Sequence, residues 1–288
     1  MTSQLFVASG DVSFENKTVI LGIPSVGNVG QLALDFLISS FNANRVGIID
    51  SAYILPVVGN DPYYDPNTNT KKGIAHTSAE VFEIKSAPDV LLIIIRAPIT
   101  SSKLFATEFA TFLKESKINR LVVLSSANSS WRMDNMIRGG QSNIVVRCQH
   151  VGTGWTNSPI LEHVVHLDQE EKAELDYLQR NVNPMTHETH SIQNIPSLPQ
   201  EETSKQKMVR GVGKELLENA KDKFDAILLL VLCNEGDNTP HGVHLAHLVS
   251  LDILFEGQVD KLQQSNIQWR PPSSWMYLFG GPPATSLY

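Results

Sequence analysis

A glycine-containing loop is the first stretch of the chain whose residue types could bind a ligand. It spans residues 24–30, between an apolar, strand-like segment (18–23) and a segment with helical apolar spacing (31–41). A dinucleotide site needs Gly-x-Gly-x-x-Gly here, and a phosphate loop ends in Gly-Lys-Ser/Thr. The loop has neither pattern. We therefore predict a strand-to-helix turn, in which Gly27 and Gly30 supply positive φ or allow close approach of another backbone.

Histidines spaced by three are the second feature, because two such residues on one helix face can share a metal ion. Successive steps of three residues drift by about 60° around a helix, so a triplet cannot face one ion equally well. We predict solvated helix faces and no metal site. The histidines concerned are His241, His244 and His247, the pair His163 and His166, and the pair His187 and His190.

A polar run with four serines, residues 125–130, follows the buried-strand pattern of 121–124. Enzymes with α/β folds often place catalytic groups at such a position. However, no Gly-x-Ser-x-Gly motif surrounds these serines. Neither Cys148 nor Cys233 has a basic partner nearby in sequence. We favour a polar, helix-capping loop; the alternative is an α/β enzyme of phosphorylase or hydrolase type that uses the 24–30 and 125–130 loops.

Apolar strand patterns alternate with helical patterns along the chain, which predicts an α/β fold. We expect a single layered domain over residues 1–288, phosphorylase- or hydrolase-like, with a largely parallel central sheet flanked by helices. The segment 90–96 has no polar face and is predicted to be a central strand. In the helix predicted over 101–117, Leu104 is placed on the apolar side. The other predicted strands are 5–8, 18–23, 45–50, 80–84, 121–124, 143–148 and 225–233, and the other helices are 31–41, 168–180, 209–223 and 239–255.

Composition narrows the class of protein further. The net charge is −7, which argues against a broad basic face for nucleic acid. Two cysteines are too few for a disulfide framework and fit a reducing compartment. The N-terminus lacks a signal-peptide pattern, and the longest apolar runs are too short to span a membrane. We expect a soluble intracellular protein without cofactor, nucleic-acid or membrane partner.

Two segments in the C-terminal part of the chain depart from the alternation of strand and helix patterns. Residues 183–207 are rich in Pro, Ser, Thr and Gln, and we expect an exposed, disordered insertion. Residues 267–288 are rich in aromatics and proline. We expect their aromatic rings to pack back on the body and residues 280–288 to project as a tail ending in Leu287 and Tyr288. Such an end suits a pocket that captures a terminal carboxylate, or it frays.

Several stretches, taken together and in order, carry a resemblance to a known family. They are Pro24-Ser-Val-Gly-Asn-Val-Gly-Gln-Leu-Ala33, Pro56-Val-Val-Gly-Asn-Asp-Pro-Tyr63, Val122-Val-Leu-Ser-Ser126, Glu235-Gly-Asp-Asn238, Pro272-Ser-Ser-Trp275 and Leu278-Phe-Gly280. The chain resembles the proteasome assembly chaperone family, in the branch that supplies the second subunit of the chaperone pair acting on the proteasome α-ring. The resemblance implies a structural role for the loop residues Gly27, Asn28 and Gly30. The insertion around 183–207 looks less typical and suggests a fungal-type member.

The resemblance also implies a function. Such proteins are non-catalytic chaperones of 20S proteasome assembly that form a heterodimer with a first chaperone subunit. The pair binds proteasome α subunits, favours correct rings, and prevents off-pathway dimerisation and premature activator binding. This implies a location in the cytoplasm and also the nucleus. C-terminal tails of the family enter pockets between α subunits with a hydrophobic residue, a tyrosine and any residue. The expected tail contacts are therefore Ser286, Leu287 and Tyr288, although here Leu287 holds the place of the tyrosine and Tyr288 comes last.

Overall fold

The computed structural model describes residues 5–10, 12–64, 74–131, 144–169, 172, 209–254 and 267–277. Within these residues, eleven strands and four α-helices carry the fold. The strands are β1 (Phe6–Ala8), β2 (Thr18–Gly22), β3 (Asn44–Ile49), β4 (Val58–Gly59), β5 (His76–Thr77), β6 (Ala79–Ile84), β7 (Ala87–Ile95), β8 (Arg120–Asn128), β9 (Val146–Val151), β10 (Val165–His166) and β11 (Asp225–Cys233). The helices are α1 (Val29–Ser40), α2 (Ser102–Glu115), α3 (Gly211–Ala220) and α4 (Thr239–Val249).

Nine strands form one sheet in the order β1-β3-β6-β7-β2-β8-β11-β9-β10. Its four central strands, β7, β2, β8 and β11, are mutually parallel, while β1, β3 and β6 pair antiparallel on one side and β9 pairs antiparallel to β11 on the other. Strands β4 and β5 form a separate antiparallel hairpin. The predicted α/β fold, with a parallel centre flanked by helices, is confirmed.

Both faces of the central strands are buried, because helices cover each face. Along β7, Leu91 and Ile93 point into one core, with α2 and α3, whereas Leu92 points into the other, with α1 and α4. All three are fully buried, which explains why this strand has no polar face. The prediction of a central strand here is confirmed.

Some details of the elements differ from the sequence-based expectation; strand β9, for example, covers Val146–Val151 rather than 143–148. Strand β8 runs to Asn128, so Ser125 and Ser126 lie within the strand rather than in a loop. The reason is that β11 pairs with all nine residues of β8 and holds them extended. Leu104 is exposed over 51% of its surface, because the apolar stripe of α2 is centred on Phe105 and Phe109. Helix α4 ends at Val249, and residues 250–254 form a π-helical turn.

The remaining segments of the predicted layout are not all described. Most of the helix predicted over 168–180, the whole insertion 183–207 and the tail 280–288 lie outside the described residues. Within the described part of the chain, no helix is both long enough and apolar enough to cross a membrane.

Candidate functional site

The glycine loop connects β2 to α1 and is shaped by close backbone contacts. Gly27 has φ +61°, and a Cβ there would overlap the side-chain amide of Asn238. Asn28 also has a left-handed conformation, with φ +53°, immediately before α1 begins. A Cβ on Gly30 would overlap the carbonyl of Leu124 in the neighbouring strand β8. These residue types are therefore required by conformation and packing, as glycine and asparagine tolerate positive φ.

The polar groups of the loop are satisfied from within the protein. The hydroxyl groups of Ser25 and Ser126 are 2.7 Å apart, and Ser126 Oγ also contacts the carbonyl oxygen of Val26 within hydrogen-bonding range. Cys233 Sγ lies 3.2 Å from the same carbonyl oxygen. Asn28 N donates to the Ser25 carbonyl at 3.0 Å. Since these hydrogen bonds join the loop to Ser126 of β8 and Cys233 of β11, they stabilise the fold from within.

The described contacts of the serine run are also hydrogen bonds within the protein. Ser125 and Ser126 are 7% exposed and lie on a strand between two other strands. Ser129 hydrogen-bonds through its hydroxyl to the side chain of Asn234, and Asn128 Oδ1 accepts from the Ser130 backbone at 2.8 Å. Among the contacts of the described residues, none places a general base against a hydroxyl of these serines. The enzymatic alternative that uses the 24–30 and 125–130 loops is accordingly not favoured.

The histidines and the two cysteines are the remaining candidates for a metal site or a nucleophile. Among the described residues, no group of three or more His, Cys, Asp or Glu side chains could hold a metal ion. His166 Nδ1 lies 3.7 Å from Cys148 Sγ, and burial followed by the charge of Asp168 raises the pKa of this thiol to about 12. A thiol with that pKa is a poor nucleophile near neutral pH. His187 and His190 lie outside the described residues.

A buried set of charged side chains lies beneath the β4–β5 hairpin. Glu80 is fully buried, and its carboxylate accepts a hydrogen bond from Arg45 at 2.7 Å and contacts His76 Nδ1. The other ring nitrogen of His76 lies 3.2 Å from Asp61 Oδ1. Although burial alone would raise the pKa of Glu80, hydrogen bonds from His76 and Arg45 lower it below the ordinary value. The pKa is low because these hydrogen bonds stabilise the ionised form.

A second buried ion pair lies next to the first. Arg96 donates to both carboxylate oxygens of Asp35, at 2.7 and 3.2 Å, and to Tyr63 Oη at 2.7 Å. Tyr63 in turn donates its hydroxyl proton to Asp35 at 2.6 Å. Burial, and then the charge of Asp35, raises the pKa of Tyr63 well above its ordinary value. The 56–64 segment is thus fixed to α1 and β7 through polar contacts.

The C-terminal segment 267–277 packs across α1 and α4. The ring of Trp269 lies edge-on to Phe36, Phe41 and His247, with ring centroids 6.3–6.4 Å apart. The Trp275 ring meets Phe36 at 5.4 Å. These contacts confirm the expectation that Trp269 and Trp275 pack back on the body.

Backbone hydrogen bonds fix the same segment. Ser39 Oγ donates to the Pro271 carbonyl at 3.1 Å, and Arg270 N donates to Ser40 Oγ at 2.9 Å. Ser274 N donates to the Pro62 carbonyl at 3.0 Å. The segment therefore ends beside the 56–64 loop. The predicted tail residues Ser286, Leu287 and Tyr288 lie outside the described residues.

Comparison with known proteins places this architecture in a family. The model of the PAC2 family matches residues 19–253, which include the glycine loop, the central strands and α4. The chain belongs to the PAC2 family. Proteasome assembly chaperone 2 of Danio rerio is 32% identical to this PAC2 chain over 281 residues, covering 96% of this chain and 97% of that relative. The Homo sapiens protein of the same name is 29% identical over 289 residues, covering 97% and 99%.

Solved structures share the PAC2 fold at low identity. Pyrococcus furiosus PbaA, an archaeal homolog of proteasome-assembly chaperone, gives a TM-score of 0.51 at 15% identity and covers 91% of this chain and 89% of that one. A Thermoplasma acidophilum protein of unknown function gives 0.51 at 14% identity, covering 88% and 92%. At such identities the likeness shows the fold alone.

Sequence reasoning missed the buried charges of this PAC2 chain. Apart from His76 and Glu80, which are four residues apart, their residues are far apart in sequence: Arg45 lies in β3, Asp61 follows β4, and His76 and Glu80 lie in β5 and β6. One signal was present. The stretch 56–63 contributed to the family resemblance although only its residues 58–59 form a strand, and within it Asp61 contacts His76 and Tyr63 bonds to Asp35.

Proposed function

We propose that this chain is a non-catalytic chaperone of 20S proteasome assembly. The observation that carries the proposal is its likeness, over nearly the full length, to relatives named proteasome assembly chaperone 2. The internal bonding of the glycine loop and the serine run supports a binding role rather than catalysis, since the polar groups that an enzyme would present to substrate hold strands together.

In this function the chain forms a heterodimer with a first chaperone subunit. The pair binds proteasome α subunits, promotes correct ring formation, and prevents off-pathway dimerisation and premature activator binding. Residues 286–288 supply a tail contact to a pocket between α subunits. The protein acts in the cytoplasm and the nucleus. These partners follow from the family resemblance, and the anchored segment 267–277 supports the tail contact because it gives the tail a fixed origin.

The test is affinity capture with the full chain as bait, expressed in its host cell, with bound proteins identified by mass spectrometry. We expect the first chaperone subunit and α subunits, and fewer β subunits. A variant lacking Leu287 and Tyr288 should keep the first chaperone subunit and recover fewer α subunits, because only the tail contact is removed.

Three results would contradict the proposal or one of its parts. Recovery of neither partner by the unmodified chain, which then sedimented as a monomer, would refute the chaperone function. Unchanged recovery of α subunits by the truncated variant would refute the tail contact alone. A location outside the cytoplasm and nucleus, seen with a fluorescent fusion, would contradict the proposed compartment.

A further inference from the structure

An exposed apolar patch lies on and beside the β4–β5 hairpin. Large hydrophobic side chains are mostly buried in the described part of the chain, yet four of the seven exposed ones belong to this short region. They are Leu55 (44% exposed), Val57 (50%), Val58 (73%) and Ile74 (46%), and together we call them the hairpin patch. Clustered exposed apolar side chains mark sites of protein interaction more often than scattered ones.

The hairpin patch is held in a fixed conformation by hydrogen bonds. Val58 pairs with Thr77 and Gly59 with His76 in the antiparallel hairpin. Ser78 Oγ accepts from Val57 N at 2.7 Å and lies 2.6 Å from the Leu55 carbonyl oxygen, to which it donates. Val58 is thus held within β4 by its pairing with β5, and Val57 is held by Ser78 just after β5.

Buried charges fix the base of the hairpin. Asp61 Oδ1 accepts from Tyr63 N at 2.9 Å and lies 3.2 Å from His76 Nε2, while His76 contacts Glu80 through its other ring nitrogen. Val58 and Ile74 also line one open cleft of about 480 Å³ together with Tyr64. Since the apolar surface is already ordered, a partner would bind it without a large loss of conformational entropy.

The C-terminal segment ends next to this patch. Ser274 N donates to the Pro62 carbonyl at 3.0 Å, four residues after Val58 in sequence. Eleven residues, 278–288, follow Tyr277. Extended chain covers at most about 3.6 Å per residue, so residue 288 lies within about 40 Å of Tyr277. A standard protein interface covers about 800 Å² on each partner, or roughly 30 Å across.

A partner surface that holds the tail within this distance of Tyr277 can also reach the hairpin patch, because the C-terminal segment contacts Pro62 beside the patch. We propose that the hairpin patch is a second contact with that same partner, and that it packs on an apolar surface of a proteasome α subunit beside the pocket for the tail. The inference rests on the proposed function. Two linked contacts on one partner raise the effective concentration of each, so loss of either weakens the whole association.

The experiment introduces a negative charge into the hairpin patch with V58E. The control is L104E, which introduces the same charge at an exposed apolar position outside the patch. Leu104 is also a large exposed side chain, at 51%, but it lies on α2, which covers the opposite face of the sheet from the helices that carry the C-terminal segment. Both variants are produced as full chains and used for capture of α subunits and of the first chaperone subunit. A photo-crosslinking amino acid at position 58, and separately at 104, identifies the neighbouring protein directly.

We expect V58E to reduce α-subunit recovery roughly tenfold, the effect of losing one well-packed contact residue, with the first chaperone subunit retained. L104E should recover both partners as the unmodified chain does, and the crosslink from position 58 should reach an α subunit. Equal stability of V58E and the unmodified chain in denaturant excludes misfolding as the cause.

Each of the following results would overturn the inference. Unchanged α-subunit recovery with V58E would show that the patch makes no contact there. Loss of the first chaperone subunit, or a crosslink from position 58 to it, would assign the patch to the heterodimer. If V58E is unaffected while loss of Leu287 and Tyr288 lowers α-subunit recovery, the proposed function stands and the hairpin contact fails. If the unmodified chain captures no α subunit, both fail.

Discussion

The glycine loop and the hairpin patch have opposite relations to solvent. Residues 24–30 contain the glycines and serines that suggest a ligand site, but these groups contact Leu124, Ser126 and Asn238 inside the molecule. The hairpin patch has no such chemistry, yet it leaves four large apolar side chains exposed above a buried base of charges. In this protein the polar glycine loop stabilises the fold through internal contacts, whereas the apolar hairpin patch is exposed at the surface.

Among the variants that test this contrast between the glycine loop and the hairpin patch, G30V should have the largest effect. A side chain at this position would overlap the Leu124 carbonyl of the central strand β8, which cannot move without breaking the sheet. We expect a loss of at least about 4 kcal/mol in the free energy of unfolding, or no soluble protein. Denaturant unfolding measures the loss. The control is G59A in the hairpin, where a Cβ meets no atom within 4 Å; a similar loss in both variants would contradict the packing argument.

The base of the hairpin is tested by E80Q. Removing the buried charge leaves Arg45 and His76 without their carboxylate partner, and we expect a loss of about 3 kcal/mol at pH 7. Glu80 has a lowered pKa in the folded state, so its contribution is present above its ordinary pKa of 4.5 and is lost as the pH falls through the lower, folded value. The difference between E80Q and the unmodified chain should therefore shrink below about pH 4.5.

Denaturant unfolding at a series of pH values checks this prediction. Since both proteins share every other titrating group, the difference between them isolates Glu80. A difference that stays constant down to pH values well below 4.5 would show that Glu80 contributes through its shape and not through its charge.

The anchoring of the C-terminal segment is tested by W269A. The variant removes edge contacts with Phe36, Phe41 and His247 from a half-buried ring. We expect a loss of about 1–2 kcal/mol in stability, together with faster proteolytic cleavage near residues 267–277. W131A, on a partly buried tryptophan of the other core, is the control. Cleavage at an unchanged rate in W269A would show that the segment is held by its hydrogen bonds and the Trp275 contact without help from Trp269.

The smallest effect is expected from S126A. The variant removes the hydroxyl that bonds to Ser25 and to the Val26 carbonyl, and we expect a loss of about 1 kcal/mol in stability. Recovery of α subunits should match the unmodified chain once both proteins are folded. Loss of α-subunit recovery without loss of stability would give this loop a direct binding role and would remove the contrast between the two regions.

Local sequence patterns determined most of the fold. The uninterrupted apolar run of β7 required cover on both faces, and Gly27 and Gly30 required a turn and a close approach, because these constraints arise within a few residues of the chain. The absence of a phosphate or nucleophile motif also favoured a binding protein. The role in proteasome assembly was inferred from the family resemblance and not from composition.

Tertiary structure decided the features that depend on distant partners. Because β8 pairs with β11 along its whole length, Ser126 lies in the strand. The polar residue types alone predicted a loop at this position. The orientation of α2 on the sheet left Leu104 exposed. Arg45, which is 35 residues away in sequence, lies against the buried Glu80, together with His76 four residues before it. No local pattern encodes these outcomes, because burial of a charge is favourable only when the folded chain brings its partners together.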